Sequence, residues 1–320
     1  MSLSGQCTLL GDIGATNARF ALLNSGILGP VQHFEVAKYQ RFTDVLGAFL
    51  GEAAGGREAC VQRAFLAVAG PVNGSSRSKL TNTSWVIDSC ELKNDFDLQV
   101  VTVNDFAALA YSLPSLSIKD LSQIGGGYQD NLAPMAVVGP GSGLGVACLV
   151  PCPNQPVVIA SEGGHATLAS TCKREDSILA HLRQRFGHVS AERAISGPGL
   201  ENIFQAITTI DGYEAPATSA AEITISALED KCQRSREALD LFCAFLGSFA
   251  GNVALTFGAR GGVYIGGGIS PRILTFMCQS NFRERFESKG RFRDYLRTIP
   301  TYVITHPAAT LVGLMSLSDS

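Results

Sequence analysis

The sequence predicts an α/β protein built from two domains. Its 320 residues favour two domains, because one domain typically holds roughly 150 residues. Near the N-terminus, the segment CTLLGDIGATNARFALL places a glycine-containing turn between two apolar runs, which predicts a β-hairpin. A second segment of this kind, AVVGPGSGLGVACLV at residues 136–150, aligns with the first at an offset of 128 residues. The alignment indicates two related sheets; it is short and rests on glycines, so chance similarity is the alternative.

The remaining elements follow from local patterns. Residues 61–69 and 98–103 are apolar enough for strands, and a helix follows from residue 105 until Pro114 stops it near the first domain boundary. Beyond residue 170 the pattern is mostly helical, with apolar side chains at helical spacing in residues 173–186 and a capping box at Ser219 and Glu222. A long helix over residues 234–257 leads into an apolar strand, and the chain ends with a strand, Pro307 and a helix.

Composition argues against several classes of protein. Lys and Arg number 25 against 28 Asp and Glu, so no basic field is available to bind nucleic acid. The nine cysteines include no Cys-x-x-Cys pair, which favours reduced thiols in a cytoplasmic protein. We expect no signal peptide, because no basic segment followed by an apolar run opens the chain. The uncharged residues 241–259 could span a membrane by length, but their polar side chains and three glycines favour a buried helix without membrane attachment.

Three glycine-rich segments are candidates for phosphate binding: residues 11–17, 139–145 and 261–268. None matches G-x-G-x-x-G, no Gly-Lys pair exists for a P-loop, and the protein-kinase His-Arg-Asp and Asp-Phe-Gly motifs are absent. Backbone amides in tight glycine turns nevertheless bind phosphate well. The alternative is that these glycines only permit hairpin turns.

Six segments occur in an informative order: GDIGATNARF at 11–20, VNDF at 103–106, GPGSGLGVA at 139–147, SEGGH at 161–165, HVSAER at 188–193 and GGVYIGGGISPR at 261–272. Together they resemble the bacterial glucokinase family of the hexokinase and actin-like ATPase superfamily, from about residue 8 to residue 315. One departure is Ala15, which stands where that family usually has a second glycine.

The resemblance implies a fold and an activity. The fold is α/β, a two-domain actin-like ATPase (ribonuclease H-like) fold, with an active-site cleft between a small domain of residues 1–114 plus 303–320 and a large domain of residues 115–302. The implied activity is ATP-dependent phosphorylation of glucose at the 6-hydroxyl, giving glucose 6-phosphate, and a homodimer is expected because the family is often dimeric. The alternatives are a kinase for another hexose or hexosamine and a non-catalytic sugar-sensing regulator. Such regulators usually add a DNA-binding helix-turn-helix, which we do not expect before a strand that starts about seven residues in.

The resemblance also assigns a sugar site. Its residues are Asn104, Asp105, Glu162, His165 and Glu192, with Asp105 as the base that takes the proton of the 6-hydroxyl. Carboxylates suit a pyranose, because their two oxygens accept hydrogen bonds from neighbouring hydroxyls. Asp105 could instead be a helix N-cap. Glu162 and His165 also resemble half of a zinc site, but Cys172 is the lone cysteine that follows closely, and it cannot complete a closed four-ligand site.

The nucleotide site implied by the resemblance draws on all three glycine-rich segments. Its residues are Gly11, Asp12, Gly14, Ala15, Thr16 and Asn17, then Gly141, Ser142 and Gly143, then Gly266, Gly267 and Gly268. Asp12 matches the position that holds Mg²⁺ through water, and one carboxylate is chemically adequate because Mg²⁺ keeps several of its waters. The expected cofactors are therefore ATP and Mg²⁺, and the expected partners are glucose and ATP.

Overall fold

The computed structural model describes residues 7–53, 61–70, 72, 76–80, 84–214 and 216–318, so Cys60 lies outside the described residues. The chain divides into two compact units. Unit 1 combines Met1–Leu116 with Pro307–Ser320, and unit 2 is Ser117–His306.

Strands and helices alternate along much of the chain. The strands are β1 (Cys7–Ile13), β2 (Asn17–Asn24), β3 (Ile27–Leu28), β4 (Gln32–Glu35), β5 (Val61–Val68), β6 (Arg77–Lys79), β7 (Val86–Asp88), β8 (Gln99–Asn104), β9 (Leu121–Gly125), β10 (Met135–Pro140), β11 (Leu144–Val150), β12 (Val157–Ser161), β13 (Val263–Ile265) and β14 (Thr301–Ile304). The helices are α1 (Phe42–Ala53), α2 (Ser89–Phe96), α3 (Asp105–Ser112), α4 (Lys173–Phe186), α5 (Gly197–Ile210), α6 (Ala220–Leu228), α7 (Gln233–Phe257), α8 (Leu274–Gln279), α9 (Phe282–Glu287), α10 (Arg293–Thr298) and α11 (Ala309–Ser318).

The main sheets of the two units share one topology. In unit 1 the strand order is β3-β2-β1-β5-β8, with β4 also paired to β2; in unit 2 it is β12-β11-β10-β13-β14-β9. Each sheet places an antiparallel hairpin, β1–β2 or β10–β11, beside two parallel strands, β5 and β8 or β13 and β14. This agreement accounts for the internal similarity between the two segments of the sequence. The carboxyl ends of the parallel strands meet at one edge of each sheet, where α/β proteins usually bind ligands.

The core of unit 1 covers both faces of its sheet, which explains why β1 and β5 are almost continuously apolar. Leu9 and Ile13 pack into one cluster, whereas Leu10 packs on the opposite face with residues of α3 and α11. A Cβ at Gly313 of α11 would lie 1.7 Å from the carbonyl oxygen of Ala108 in α3. The close approach of these two helices therefore requires glycine at this position, and it fixes the C-terminal helix to unit 1.

Helix α7 forms the centre of unit 2. By length and composition α7 could cross a membrane, but 78% of its most apolar window is buried within the structure. A Cβ at Gly247 would lie 2.0 Å from the carbonyl oxygen of Phe282, so α7 and α9 pack with their backbones close together. The interpretation of this stretch as a buried helix is thus confirmed.

Several local predictions are confirmed and one boundary is not. Both predicted hairpins are present, and Ser219 caps α6 with Glu222 in a capping box. The predicted boundary between residues 302 and 303 falls inside β14. Val303 pairs with Ile265 of β13 on one side and with Ser122 of β9 on the other, which holds it in the sheet of unit 2. The chain therefore returns to unit 1 at Pro307.

Candidate active site

In unit 1, Asp12 lies near the carboxyl end of β1. Its register partners are Arg19 on β2 and Ala67 on β5, and Ala67 in turn pairs with Val103 on β8. The Asp12 side chain is 16% exposed, and Arg19 Nη1 lies 3.3 Å from its Oδ2. Burial raises the pKa of the Asp12 carboxyl above its ordinary value, and the charge of Arg19 offsets only part of that rise. A buried carboxylate whose negative charge is only partly balanced by a neighbouring arginine is suited to bind a cation.

The turn between β1 and β2 presents polar groups beside Asp12. Gly14 N–H donates to the carbonyl oxygen of Asn17 over 3.0 Å and closes the turn, while Thr16 and Asn17 are exposed and Ala15 is half-buried. Gly11, expected in this loop, lies instead within β1. It is buried, and a Cβ there would approach Leu66 Cδ2 to 2.7 Å. Glycine at this position thus serves packing between strands, and Gly11 does not belong to the exposed turn.

The end of β8 shows which residue caps the following helix, a role that the sequence leaves open for Asp105. Asn104 Oδ1 accepts from the N–H groups of Phe106 and Ala107, both at 3.0 Å, and Asn104 Nδ2 donates to the carbonyl oxygen of Gly70. Asn104 is therefore the N-cap of α3, and Asp105 is the first residue of the helix. Because the side chain of Asn104 is so engaged, at most one of its N–H groups is available to a ligand. The half-buried carboxylate of Asp105 lies at the positive end of the helix dipole.

In unit 2, the glycine segments after β10 and β13 lie side by side. Residues 141–143 form a tight turn, in which Gly141 N–H donates to the carbonyl oxygen of Gly143 over 2.8 Å. Gly267 has φ +78°, and a Cβ there would lie 2.2 Å from the carbonyl oxygen of Pro140. Gly266 is buried and bonds back to Val138, whereas Gly268 is exposed with open space at its Cβ position. The two segments thus form one glycine-lined edge of the sheet, with Ser142 exposed in the first turn.

Glu162, His165 and Glu192 are brought together in the same unit. Glu162 follows β12 directly, and its Oε2 lies 4.0 Å from Nε2 of His165; both side chains are about 60% exposed. Backbone hydrogen bonds join the chain after His165 to the chain before Glu192, since Leu168 N–H donates to Val189 and Ala191 N–H donates to Ala166. The half-buried Glu192 directs Oε2 to the N–H of Leu144, which donates to it over 3.0 Å.

Gly164 and Leu144, which lie beside these carboxylates, were not predicted from the sequence. A Cβ at Gly164 would lie 2.0 Å from the carbonyl oxygen of Leu144, so the turn that carries Glu162 rests directly on the start of β11. Leu144 therefore contacts Gly164 through its carbonyl group and Glu192 through its N–H. The paired glycines in SEGGH were a signal for such a close approach, because glycine is favoured where backbones meet.

The described part of the chain offers little to a structural metal ion. Within the described residues, no group of three or more His, Cys, Asp and Glu side chains is arranged to hold a metal. Cys172 is exposed at the start of α4. Three residues further on, Glu175 is fully buried and forms an ion pair with Arg285, at 2.6 Å from Oε1 to Nη1. This pair joins α4 to α9, and the N–H of Thr171, in the segment after His165, also donates to Glu175.

Comparisons with known proteins agree with this arrangement. A family model described as Glucokinase matches residues 9–320. The chain is 44% identical over 310 residues to a glucokinase of Nitrobacter hamburgensis, covering 97% of this chain and 96% of that protein. Among solved structures, a glucokinase from an Antarctic psychrotroph is 36% identical with a TM-score of 0.86, and the match covers 98% of this chain and 99% of that one.

A more distant structure shares the fold. The ROK family glucokinase of Streptomyces griseus, solved in complex with glucose and AMPPNP, has a TM-score of 0.67 at 17% identity, covering 97% of this chain and 98% of that one. The predicted α/β fold of the actin-like ATPase class is confirmed by these structures and by the shared topology of the two sheets. Because the family model and the Nitrobacter hamburgensis relative match it over nearly its whole length, the chain belongs to the glucokinase family.

Proposed function

We propose that this protein transfers the γ-phosphoryl group of ATP to the 6-hydroxyl of glucose, forming glucose 6-phosphate and ADP. The observation that carries the proposal is the division of roles at the end of β8. Asn104 is the N-cap of α3. The neighbouring Asp105 also accepts the Phe106 N–H through Oδ1, and as a carboxylate it has further lone pairs that can accept a proton. The family match over residues 9–320 supports glucose and ATP as the substrates.

Asp105 is the general base in this account. It accepts the proton of the 6-hydroxyl as that oxygen attacks the γ-phosphorus, and the bond to the ADP oxygen breaks. Phosphoryl transfer needs positioning and charge stabilisation more than covalent help from the protein, so one well-placed carboxylate is sufficient. Asp12 pairs with Ala67, which pairs with Val103 on β8, two strands from β1. The backbone at Asp12 is therefore roughly 10 Å from that of Val103, which lies two residues before Asp105.

Sugar hydroxyls are bound by Glu162, His165 and Glu192, with Asn104 adding one N–H. Glu162 and His165 are exposed and able to adopt the orientation that the ligand requires. Glu192 already directs Oε2 to Leu144, which leaves Oε1 for a hydroxyl. The four side chains together supply both donors and acceptors, as a polyhydroxylated substrate demands.

ATP is bound by the glycine segments. The amides of residues 15–17 and 142–143 contact phosphate oxygens, because the N–H groups of Gly14 and Gly141 close their own turns. Residues 266–268 leave space for adenosine against the backbone. Mg²⁺ fits the donor set, because Asp12 is a buried oxygen ligand whose carboxylate has Arg19 as its sole partner within the described residues. Asp12 would hold the ion through water, and the bound ion would neutralise charge on the phosphates.

An ADP-release assay over a panel of sugars tests the proposal. Glucose should give Mg²⁺-dependent ADP release with the highest kcat/KM, and 6-deoxyglucose should give none above background because it lacks the attacking hydroxyl. Preference for mannose or N-acetylglucosamine would make the protein a kinase for another sugar. Glucose binding without ADP release would indicate a sensing protein. We also expect a homodimer, which sedimentation equilibrium measures directly.

A further inference from the structure

The carboxylate of Glu192 is attached to the turn after β10. Its Oε2 accepts a hydrogen bond from the backbone N–H of Leu144 at 3.0 Å. Leu144 comes directly after residues 141–143 and is the first residue of β11. A side chain that contacts the sugar in the proposed function is therefore anchored to the backbone of the turn that contacts phosphate.

Gly143 provides the space for this contact. A Cβ at residue 143 would lie 2.6 Å from Oε2 of Glu192 and 3.4 Å from its Cδ. Gly143 is absent from the residues with positive φ, so its backbone is one that alanine also adopts. Space beside Glu192, and not backbone conformation, is thus the reason that glycine is needed here.

The backbone of Glu192 is fixed independently of this contact. Glu192 lies in the 3₁₀ turn Ala191–Arg193, and Ala191 N–H donates to the carbonyl oxygen of Ala166 over 2.8 Å. Ser196 Oγ donates to the carbonyl oxygen of Glu192, also over 2.8 Å. With the backbone held on both sides, the hydrogen bond from Leu144 determines where the carboxylate points.

We propose that Gly143 is a positioning residue for sugar binding. Its missing side chain and the N–H of Leu144 hold Oε2 of Glu192, so that Oε1 is presented to a sugar hydroxyl. The phosphate-binding turn thereby sets the affinity for the sugar. This inference rests on the proposed function, since it takes glucose as the ligand of Glu192.

The test is glucose affinity measured by calorimetry without nucleotide. Gly143→Ala should raise the Kd for glucose about tenfold to a hundredfold, the effect of losing one hydrogen bond to a charged group. Gly197→Ala is the matched control, because Gly197 N–H donates to the carbonyl oxygen of Gly141 in this turn and a Cβ there stays 3.5 Å from that oxygen. That variant should bind glucose as the wild type does, and thermal unfolding checks that both variants fold.

Two further measurements separate positioning from general damage. In a Glu192→Ala background, Gly143→Ala should cause no additional loss of glucose affinity, because the two changes remove one interaction. Hydrogen exchange in the ligand-free protein should be faster at the Leu144 amide in Gly143→Ala than in Gly197→Ala. Any one of three results would overturn the inference alone. They are an unchanged Kd for glucose in Gly143→Ala, an equal loss of glucose affinity in the wild-type and Glu192→Ala backgrounds, and unaltered hydrogen exchange at the Leu144 amide. Absence of glucose binding by the wild type would overturn the proposed function and the inference with it.

Discussion

Asn104 and Asp105 are adjacent in the chain, and both accept a hydrogen bond from the backbone N–H of Phe106. The side-chain oxygen of Asn104 accepts the first two free N–H groups of α3, from Phe106 and Ala107. Asp105 begins the helix, and its Oδ1 accepts from Phe106 N–H over 2.9 Å. Of the two, Asn104 also accepts the Ala107 N–H and is the N-cap, whereas Asp105 is a carboxylate with enough lone pairs to accept both a backbone N–H and a proton.

Replacing Asp105 by asparagine tests its role as the base. Asp105→Asn keeps the size of the side chain but removes its ability to accept a proton, so kcat should fall by about 10²–10⁴ while glucose still binds. Steady-state kinetics and calorimetry measure the two effects. Asn104→Asp is a useful control, since aspartate also caps helices well and the fold should be retained. Retention of more than about a tenth of kcat in Asp105→Asn is incompatible with general base catalysis by this residue.

Gly267 and Gly268 form a matched pair for the adenosine segment. Gly267→Ala forces an alanine to φ +78° and against the carbonyl oxygen of Pro140, whereas Gly268→Ala points into open space. The first change should lower the free energy of unfolding by about 1–3 kcal/mol from the backbone conformation alone. The second should leave stability unchanged and raise the KM for ATP, because its methyl group occupies the space assigned to adenosine. Equal Tm values for the two variants would contradict the structure of this turn.

Asp12 is expected to control the requirement for Mg²⁺. Asp12→Asn removes the charge that binds the ion, so the Mg²⁺ concentration needed for half-maximal activity should rise at least about tenfold. EDTA should abolish the activity of the wild type, and excess Mg²⁺ should restore it. Titration of activity with MgCl₂ at fixed ATP provides the measurement. A variant with an unaltered Mg²⁺ dependence would remove Asp12 from the metal site.

Glu175 should make stability depend on pH in the acidic range. Burial alone would raise the pKa of Glu175, but the hydrogen bonds from Arg285 and Thr171 outweigh it and lower the pKa below 4.5. The contribution of Glu175 is therefore complete above pH 4.5 and is lost as the pH falls through the lower folded-state pKa. Glu175→Gln should destabilise the protein by about 3–5 kcal/mol at neutral pH, because it leaves Arg285 without its charged partner.

The control for this experiment is an exposed ion pair on the same helix as Arg285. Glu284 pairs with Arg293, and both side chains are about half exposed. Glu284→Gln should change the free energy of unfolding by less than about 1 kcal/mol. Thermal unfolding over a series of pH values should show the Tm difference between wild type and Glu175→Gln narrowing below pH 4.5. A difference that stays constant with pH would show that charge on Glu175 is unimportant.

Local patterns predicted the elements that carry the site. The turns at residues 14–17 and 141–143 were predictable, because glycine-containing segments flanked by apolar runs favour hairpins. The strand before Asn104 and the helix after it also follow from neighbouring residues, β8 and α3 being close to their predicted limits. These features depend on interactions within a few residues of each other.

Features that depend on distant parts of the chain were not predictable from one sequence. Glu192 bonds to Leu144 across 48 residues, and nothing in the local sequence of either residue specifies the other. Gly11 was misplaced in the turn, because its requirement for glycine comes from Leu66 on a neighbouring strand. The predicted boundary at residue 303 differs from the observed one because it too depends on a distant segment: β14 pairs with β9, at the other end of unit 2 in the sequence.

The position of the transferred phosphate tests the central claim most directly. The proton-coupled phosphorus NMR spectrum of the product from glucose, ATP and Mg²⁺ identifies the carbon that carries the phosphate. A phosphate on the 6-hydroxyl couples to the two methylene protons and gives a triplet, with one ADP formed for each sugar phosphate. A doublet would contradict the account, because it reports a phosphate attached at a ring carbon with one proton. Formation of ADP with inorganic phosphate as its only companion product would also contradict it.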